Sequence, residues 1–145
     1  MRTEELESYM MRDPYIQKYY GGVVALNQLP LFIVKPTIFI VNSDPASLPG
    51  RHWFAVFFTT INEHFDSAGF YPNAVLEAQL IAHGPKFRYS DRRVQDFNTE
   101  SCGQFCLFYC YFRCRGYSFR AIMDMFSPNL ALNEHIVQYF YDLTK

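Results

Sequence analysis

The sequence predicts an α+β domain in which a central mixed β-sheet packs against one buried helix, with flanking helices around it. Two observations indicate this fold class. The middle of the chain contains β-branched and aromatic runs separated by turn residues, which is typical of strands. Residues 102–115 are strongly apolar and follow a polar loop ending at Ser101, a preferred N-cap residue, which predicts a buried helix. The 145 residues suit a single domain, 1–145, with one core.

The N-terminal part is predicted to form two short helices and then strands. Residues 3–20 have helical composition, but the Asp-Pro pair at 13–14 interrupts the helix because proline cannot continue it. The glycine pair at 21–22 is interpreted as a helix stop. Residues 31–41 are apolar and β-branched, and Pro36 marks an edge, a bulge or a break between two short strands.

The strongest strand is predicted over residues 52–60, where near-continuous hydrophobicity implies burial on both faces of the sheet. A polar turn at 62–63 leads into 64–67, so these segments are predicted to form a hairpin. Residues 86–95 alternate only roughly between polar and apolar side chains, which indicates a more exposed strand.

Helices are predicted around these strands. A helix over 73–83 has an apolar stripe made of Val75, Leu76, Leu80 and Ile81. The central helix over 102–115 ends at Gly116. A short helix over 118–126 and a last amphipathic helix over 133–143 complete the chain.

The composition limits the classes of function. Thirteen Lys and Arg against fourteen Asp and Glu give a net charge of −1, so strong attraction to nucleic acid is not expected, and nucleic-acid binding stays open. The one basic cluster is interpreted as a solvated strand edge, with an anionic contact site as the alternative; it contains Lys86, Arg88, Arg92 and Arg93. No apolar run reaches the length of a membrane span and no signal-peptide pattern is visible, which predicts a soluble intracellular protein without a membrane partner.

All four cysteines lie in the predicted central helix, at positions 102, 106, 110 and 114. Steps of four place them in one stripe, which argues against a disulfide framework and against zinc, because ligands from one straight helix cannot surround a tetrahedral ion. We therefore expect reduced thiols, a reducing compartment and no metal. Cys102 differs from the other three because it lies in the first turn, where unpaired N–H groups and the helix dipole stabilise a thiolate.

A nucleophilic cysteine requires a base, a group that orients the base, and hydrogen-bond donors for the oxyanion. The sequence offers His52 at the start of the buried strand and Asp66 on the neighbouring arm of the hairpin. Gln95 precedes Cys102 by seven residues, just before the loop that delivers the cysteine. Residue types alone leave structural roles open for His52, Asp66 and Gln95.

Three segments together carry a resemblance to a known family: G-R-H-W-F-A-V-F-F, then F-D-S-A-G-F-Y-P, then V-Q-D-F-N-T-E-S-C-G-Q-F-C. They resemble the adenovirus maturation protease (adenain) and, more distantly, the ubiquitin-like-protein proteases that share its fold. The resemblance covers about residues 50–115 in motif detail. The order His, Asp, Gln, Cys distinguishes this group from papain-like enzymes, in which the cysteine comes first. The implied fold is therefore the adenain-like cysteine-protease fold.

The resemblance implies a catalytic role for each matching residue. Cys102 is the nucleophile, and His52 is its general base and later the acid that protonates the leaving amine. Asp66 holds the imidazole in place. Gln95 and the backbone N–H of Cys102 form the oxyanion hole.

Two substrate-binding residues are also implied by the resemblance. Trp53 walls a narrow channel that accepts glycine-rich segments, although ordinary core packing also explains a tryptophan here. Gly103 lacks a side chain and so lets the substrate backbone approach the thiol. Two departures accompany the match. Asp66 is the acid of the ubiquitin-like branch, whereas most adenovirus enzymes have Glu, and the short connection from His52 requires a tight hairpin.

The function implied is a cysteine endopeptidase that cleaves viral or virus-like capsid or core precursor proteins at glycine-containing sites through a thioester acyl-enzyme, in virion maturation. Such an enzyme is expected to act as a monomer, in the virion and in the nucleus or cytoplasm of the infected cell. Two alternatives stay open: a deubiquitinase or ubiquitin-like-modifier isopeptidase, and an inactive interaction domain of the same fold. The joint presence of the four site residues argues against the inactive domain.

No cofactor is expected. Adenovirus enzymes are activated by DNA and by a peptide that forms a disulfide with a cysteine upstream of the oxyanion glutamine. No cysteine precedes Cys102 in this sequence, so we expect no covalent activation of that kind. The charge near zero gives no support for DNA as an activator.

Overall fold

The computed structural model describes residues 1–43 and 52–145; the first two residues of the His-Trp motif, 50–51, lie outside this range. The helices are α1 (Thr3–Arg12), α2 (Pro14–Gln17), α3 (Ala74–Ala82), α4 (Cys102–Cys114), α5 (Phe119–Met123) and α6 (Leu130–Thr144). The strands are β1 (Tyr20–Ala25), β2 (Thr37–Asn42), β3 (Trp53–Phe58), β4 (Asn62–Phe65) and β5 (Phe87–Tyr89), and a 3-10 turn covers Leu26–Gln28.

The strands form one mixed sheet in the order β1-β2-β3-β4-β5. The two outer pairs, β1 with β2 and β4 with β5, are parallel, whereas β2, β3 and β4 are antiparallel neighbours. The sheet packs against α4, with α1 and α6 beside that helix. This architecture confirms the predicted α+β class and the predicted packing of the sheet on the helix that begins at Cys102.

The side chains of β3 alternate between two apolar cores. Trp53, Ala55 and Phe57 belong to the core under α4, while the residues between them join Leu76 and Leu80 of α3 on the opposite face. All six residues of β3 are buried, so the predicted burial on both faces is confirmed. The strand is therefore enclosed between two helical layers, and its first residue lies beside the start of α4.

The central helix ends as predicted. Gly116 has a φ of +96°, a left-handed conformation that glycine adopts without the steric cost of a Cβ, and it follows the last turn of α4. The four cysteines of α4 are buried and carry free thiols. Within residues 1–43 and 52–145, no helix is long and apolar enough to cross a membrane.

The glycine pair at 21–22 was expected to stop a helix, but both residues lie inside β1. The physical reason is close strand packing: a Cβ on Gly21 would lie 2.5 Å from Cγ2 of Thr37 and 2.6 Å from the ring of Phe39. The helical segment instead ends at Gln17, at the end of α2. The predicted interruption at 13–14 is confirmed, because α1 ends there and Asp13 caps α2.

Several boundaries differ from the sequence prediction. The extended segment 31–41 becomes a strand only after Pro36, and the polar residues 62–63 belong to β4, so the hairpin turn is 59–61. The strand expected over 86–95 is confined to β5. In α3, Leu76 and Leu80 are buried as predicted, but Val75 and Ile81 are 59% and 52% exposed because this short helix covers the sheet with one narrow face.

A buried ion pair joins β4 to α4. The carboxylate of Glu63 accepts hydrogen bonds from Nε and Nη2 of Arg113 at 2.9 and 2.8 Å, and from the hydroxyl of Tyr109. The side chain of Glu63 is 3% exposed and that of Arg113 is 21% exposed. Because a buried charge without its partner is costly, this pair fixes the register of α4 on the sheet.

Removing the arginine tests this role. We expect Arg113→Ala to lower the free energy of unfolding by roughly 3–5 kcal/mol, because the Glu63 charge stays buried without compensation. Urea denaturation measures the change. Arg120→Ala is the matched control: its exposed ion pair with Asp124 predicts a loss below about 1 kcal/mol. Equal losses in the two variants would contradict the role of the buried pair.

Candidate active site

The N-terminus of α4 lies against the start of β3, and this contact brings Cys102 to His52. The backbone N–H of Trp53 donates to Sγ of Cys102 over 3.4 Å. The thiol and the His52 ring also hydrogen-bond to each other. The predicted nucleophile and the predicted base are therefore in direct contact.

Asp66 holds the other side of the imidazole. Nε2 of His52 and Oδ1 of Asp66 are 2.7 Å apart, and the same carboxylate oxygen accepts the N–H of Ala68 at 2.8 Å. Nδ1 of His52 is thereby left for the thiol. The register of the β3–β4 hairpin pairs Ala55 with Phe65, which sets residue 66 near the end of the strand where His52 lies. The short connection thus forms the tight hairpin that the sequence requires.

The electrostatics of this cluster favour an ion pair of thiolate and imidazolium. Burial alone would lower the pKa of His52, but its hydrogen bonds to Asp66 and Cys102 outweigh burial and raise the pKa to about 10. Burial likewise opposes ionisation of Cys102, yet the hydrogen bonds from His52 and from the Trp53 N–H lower the pKa of the thiol below its ordinary value.

The other three cysteines differ sharply in their surroundings. Burial raises the pKa of the Cys106 and Cys110 thiols well above the ordinary value and raises the pKa of Cys114 to about 12. None of the three lies beside a histidine, and all belong to the core under α4. Only the first cysteine of the stripe is held in conditions that produce a thiolate.

Gln95 faces the site, and its side chain is oriented at both ends. The hydroxyl of Ser67 donates to Oε1 over 2.6 Å, and Nε2 donates to the carbonyl and hydroxyl oxygens of Thr99 at 3.0 and 3.1 Å. The backbone carbonyl of Ser67 also accepts the N–H of Gln95. The amide is therefore fixed before any substrate arrives, with its N–H groups directed into the loop ahead of Cys102.

Glu134 of α6 organises that loop. Its carboxylate accepts hydrogen bonds from the Ser101 hydroxyl at 2.6 Å, the Asp96 N–H at 2.9 Å and the Thr99 hydroxyl at 3.3 Å. Ser101 occupies the N-cap position of α4 as expected, but its side chain makes no capping bond. A hydrogen bond to a charged carboxylate is stronger than one to a backbone N–H, so the hydroxyl turns to Glu134 and leaves the first-turn N–H groups of α4 uncapped by this side chain.

The two residues expected to bind substrate meet the first residue of the chain. Nε1 of Trp53 donates to the carbonyl of Met1 over 3.1 Å, and the Trp53 side chain is buried in the core under α4. A Cβ on Gly103 would lie 3.0 Å from Sδ of Met1. The space next to Gly103 and Trp53 is thus filled by a flexible side chain, and the roles of both residues toward substrate stay predictions.

His64 stands two residues before Asp66 in the predicted hairpin arm, where the sequence predicts an exposed strand residue, but the structure buries it. Its ring packs against Phe54, with 5.0 Å between centroids, on the face of the sheet covered by α3. Burial lowers the pKa of His64 to about 4, so this second histidine is neutral near pH 7 and does not compete with His52 for a proton.

A small cleft opens beside the histidine. Its volume is about 180 Å³, and it is lined by His52, Ala68, Phe70, Arg93, Gln95, Phe97 and Thr99. A larger cavity of about 430 Å³ lies between β5 and α5, but it contains none of the predicted site residues. Of these two, the smaller cleft is the candidate site, because it is lined by His52, the predicted base. Among the described residues, no cluster of His, Cys, Asp and Glu could hold a metal ion.

The site lies on a mixed sheet packed on a helix whose first residue is Cys102, with His52 just before β3 and Asp66 just after β4. The ASFV pS273R protease is similar in fold to this chain, with a TM-score of 0.60 and 16% identity over 84% of this chain and 60% of that protease. The chain therefore spans less than two thirds of the length of that neighbour. The likeness shows a shared fold and supports no closer link to adenain.

A second solved structure covers the whole chain. The central domain of Lpg1148 from Legionella pneumophila matches 100% of this chain and 98% of its own, with a TM-score of 0.50 and 12% identity. No protein-family profile and no curated protein matches the sequence. At such identities the neighbours establish the fold, and the chemistry rests on the residues of this chain.

Sequence reasoning missed the residues that hold the site in place. Ser67 donates a hydrogen bond to Gln95. It follows Asp66 directly in the F-D-S-A-G-F-Y-P segment, and this position could have indicated a role in the site. Ser90 accepts the N–H of Asp66 at 2.7 Å, and Glu134 anchors the loop, but neither belongs to a recognisable motif. Met1 also carried no signal for its contact with Gly103.

The difference between the thiols predicts selective alkylation. With iodoacetamide at neutral pH, we expect Cys102 to react at least tenfold faster than the other three cysteines, because only its pKa is lowered. The rate should rise with pH through a midpoint below 9.0, the ordinary thiol value. Mass spectrometry of the labelled peptides measures each rate.

His52→Ala is the matched variant for this measurement. Loss of the imidazolium removes the group that stabilises the thiolate while burial remains, so the midpoint should move to higher pH. His64→Ala removes a histidine that is neutral near pH 7 and should leave the midpoint in place. Equal rates for all four cysteines, or an unchanged midpoint in His52→Ala, would contradict the ion pair.

Proposed function

We propose that the protein is a cysteine peptidase with Cys102 as nucleophile, His52 as acid and base, and Asp66 as the group that orients the histidine. The observation that carries this proposal is the hydrogen-bonded series Cys102–His52–Asp66, with 2.7 Å between imidazole and carboxylate and a thiol whose pKa is lowered. Buried cysteines without such partners are inert as a rule, and burial raises the pKa of the Cys106 and Cys110 thiols.

Acylation begins with attack of the Cys102 thiolate on the carbonyl carbon of the scissile amide. A C–S bond forms and the carbonyl electrons move to the oxygen. The imidazolium of His52 then gives its proton to the amide nitrogen, the C–N bond breaks, and a thioester remains. Water, deprotonated by the now neutral His52, attacks the thioester carbonyl, the C–S bond breaks, and the acid product leaves while Cys102 is restored as thiolate beside the imidazolium. Asp66 keeps the ring oriented through both proton transfers.

The oxyanion is stabilised by the backbone N–H of Cys102 and by Nε2 of Gln95. The first is an unpaired donor at the start of α4, where the helix dipole adds positive potential. The second already bonds to Thr99, so the substrate oxygen takes the place of one Thr99 acceptor. Ser67 holds the amide so that its nitrogen, not its oxygen, faces the developing charge.

The finer proposal is an endopeptidase that cleaves capsid or core precursor proteins at glycine-containing sites during virion maturation. The neighbour named as the protease of ASFV supports a viral setting. Trp53 and Gly103 support a glycine-rich acyl side, because a cysteine followed by a residue without a side chain, next to a buried indole, favours a slender substrate backbone.

Cleavage of quenched fluorescent peptides tests this function. We expect turnover of peptides that carry Gly-Gly or Gly-x before the scissile bond, and no measurable turnover by Cys102→Ala, because the nucleophile is absent. Cys106→Ala is the matched control and should retain activity, since Cys106 is a buried core thiol. A mass shift of the trapped thioester identifies the acylated residue.

Two results would contradict the proposal. Turnover that persists in Cys102→Ala would show a different nucleophile. Failure to cleave any glycine-containing peptide or capsid precursor, combined with rapid labelling of Cys102 by a ubiquitin-family probe with a C-terminal electrophile, would favour modifier processing instead.

Gln95→Ala separates the oxyanion role from thiolate formation. We expect kcat to fall by roughly 10²–10³-fold, because one oxyanion donor is lost. The iodoacetamide rate of Cys102 should stay near that of the unmodified protein, because alkylation forms no oxyanion. Parallel losses of turnover and alkylation would instead indicate that Gln95 only supports the local structure.

A further inference from the structure

The small cleft beside His52 lies on one particular side of the reacting thiol. In the proposed function, His52 protonates the leaving nitrogen, so the leaving segment must begin within hydrogen-bond reach of the ring. The cleft is lined by His52 and by Gln95, whereas Trp53 and Gly103, the residues expected to bind the acyl side, do not line it. The geometry therefore assigns the cleft to the residues that follow the scissile bond.

Two exposed phenylalanines flank this cleft. Phe70 follows the segment that carries Asp66 and is 64% exposed, and Phe97 lies in the loop before Cys102 and is 71% exposed. Large aromatic side chains left open at the mouth of a cleft are typical of contact surfaces for a bound chain. They can pack on both sides of a peptide that leaves the site.

One cation gives the cleft its charge. The guanidinium of Arg93 stacks on the ring of Phe97, 4.4 Å from its centroid, and Nη1 donates to the carbonyl of Gln95 at 3.2 Å. Among the described residues, no aspartate or glutamate pairs with Arg93, and none lines the cleft. Stacking on Phe97 and the hydrogen bond to the Gln95 carbonyl hold the guanidinium in position. Its positive charge can therefore attract an anionic group of a peptide bound in the cleft.

We propose that this cleft is the leaving-group subsite and that Arg93 selects leaving segments that carry a carboxylate within the first two residues after the scissile bond. The carboxylate can belong to an Asp or Glu side chain or to the C-terminus of a short leaving segment. This inference rests on the proposed function and adds the substrate class on the leaving side. Phe70 and Phe97 enclose the backbone while the guanidinium binds the anion.

Matched peptides test the preference. One set shares the same glycine-containing acyl side and carries Glu, Gln or Lys at the first or second position after the scissile bond. A second set ends two residues after that bond as a free acid or as an amide, which distinguishes the two sources of carboxylate. We expect kcat/KM to be roughly two- to fivefold higher for Glu than for Gln, the range for a partly exposed charge pair, and lower again for Lys, which the guanidinium repels.

Charge reversal at position 93 tests whether Arg93 sets the preference. Arg93→Glu should invert the order so that Lys is preferred over Glu, and Arg93→Gln should remove the preference. Arg88→Glu is the matched control, because it makes the same change of net charge at an exposed position of β5 outside the cleft, and it should keep the original order.

A binding readout keeps this inference distinct from the proposed function. Tetrapeptide amides that represent the leaving segment are titrated into Cys102→Ala, and NMR shifts of the Phe70 and Phe97 amides report occupancy. Tighter binding of the Glu peptide than the Lys peptide, inverted by Arg93→Glu, supports the subsite even if no peptide is cleaved. Cleavage without a charge preference, or the same order in unmodified protein and Arg93→Glu, overturns the subsite and leaves the peptidase proposal intact.

Discussion

The hydrogen bond between the Cys102 thiol and the His52 ring is the interaction on which the site depends, because each partner stabilises the charged form of the other. Both groups are largely shielded from water, and burial alone would keep the thiol protonated and the imidazole neutral. Their contact exists only because the first turn of α4 packs against the first residue of β3. The buried Glu63–Arg113 pair, three turns farther along the helix, fixes the same packing from the core. The packing of α4 on the sheet thus supports both the fold and the reactivity of Cys102.

Two sets of residues with different physical character lie near that contact. Met1 fills the space beside Trp53 and Gly103 with a flexible apolar side chain. Arg93 and two exposed aromatic rings border the cleft that His52 lines. Under the proposed function and the proposed subsite, a bound peptide would meet apolar surroundings before the scissile bond and a cationic cleft after it.

The elements with a strong and simple pattern were predictable from sequence. A continuous apolar strand and a long apolar helix after a polar loop gave β3 and α4, and the motif around them led to the cluster of His52, Asp66 and Cys102. The prediction failed where a residue type has two uses: glycine at 21–22 permits close strand packing, and His64 lies in the strand yet packs against a core ring. The role of Glu134 depends on a fold-level contact across more than thirty residues, which no local pattern encodes.

Glu134 links the last helix to chemistry that takes place on another element. Its single carboxylate bonds three points of the loop before Cys102, and Thr99 of that loop in turn holds the amide of Gln95. A helix with few buried residues, such as α6, opens locally at lower free energy than a paired sheet does. If α6 detached, the loop would lose its anchor while the strands stayed hydrogen-bonded. Under the proposed function, warming would then lower turnover before the sheet unfolds, and residual activity would underestimate how much of the chain is still folded.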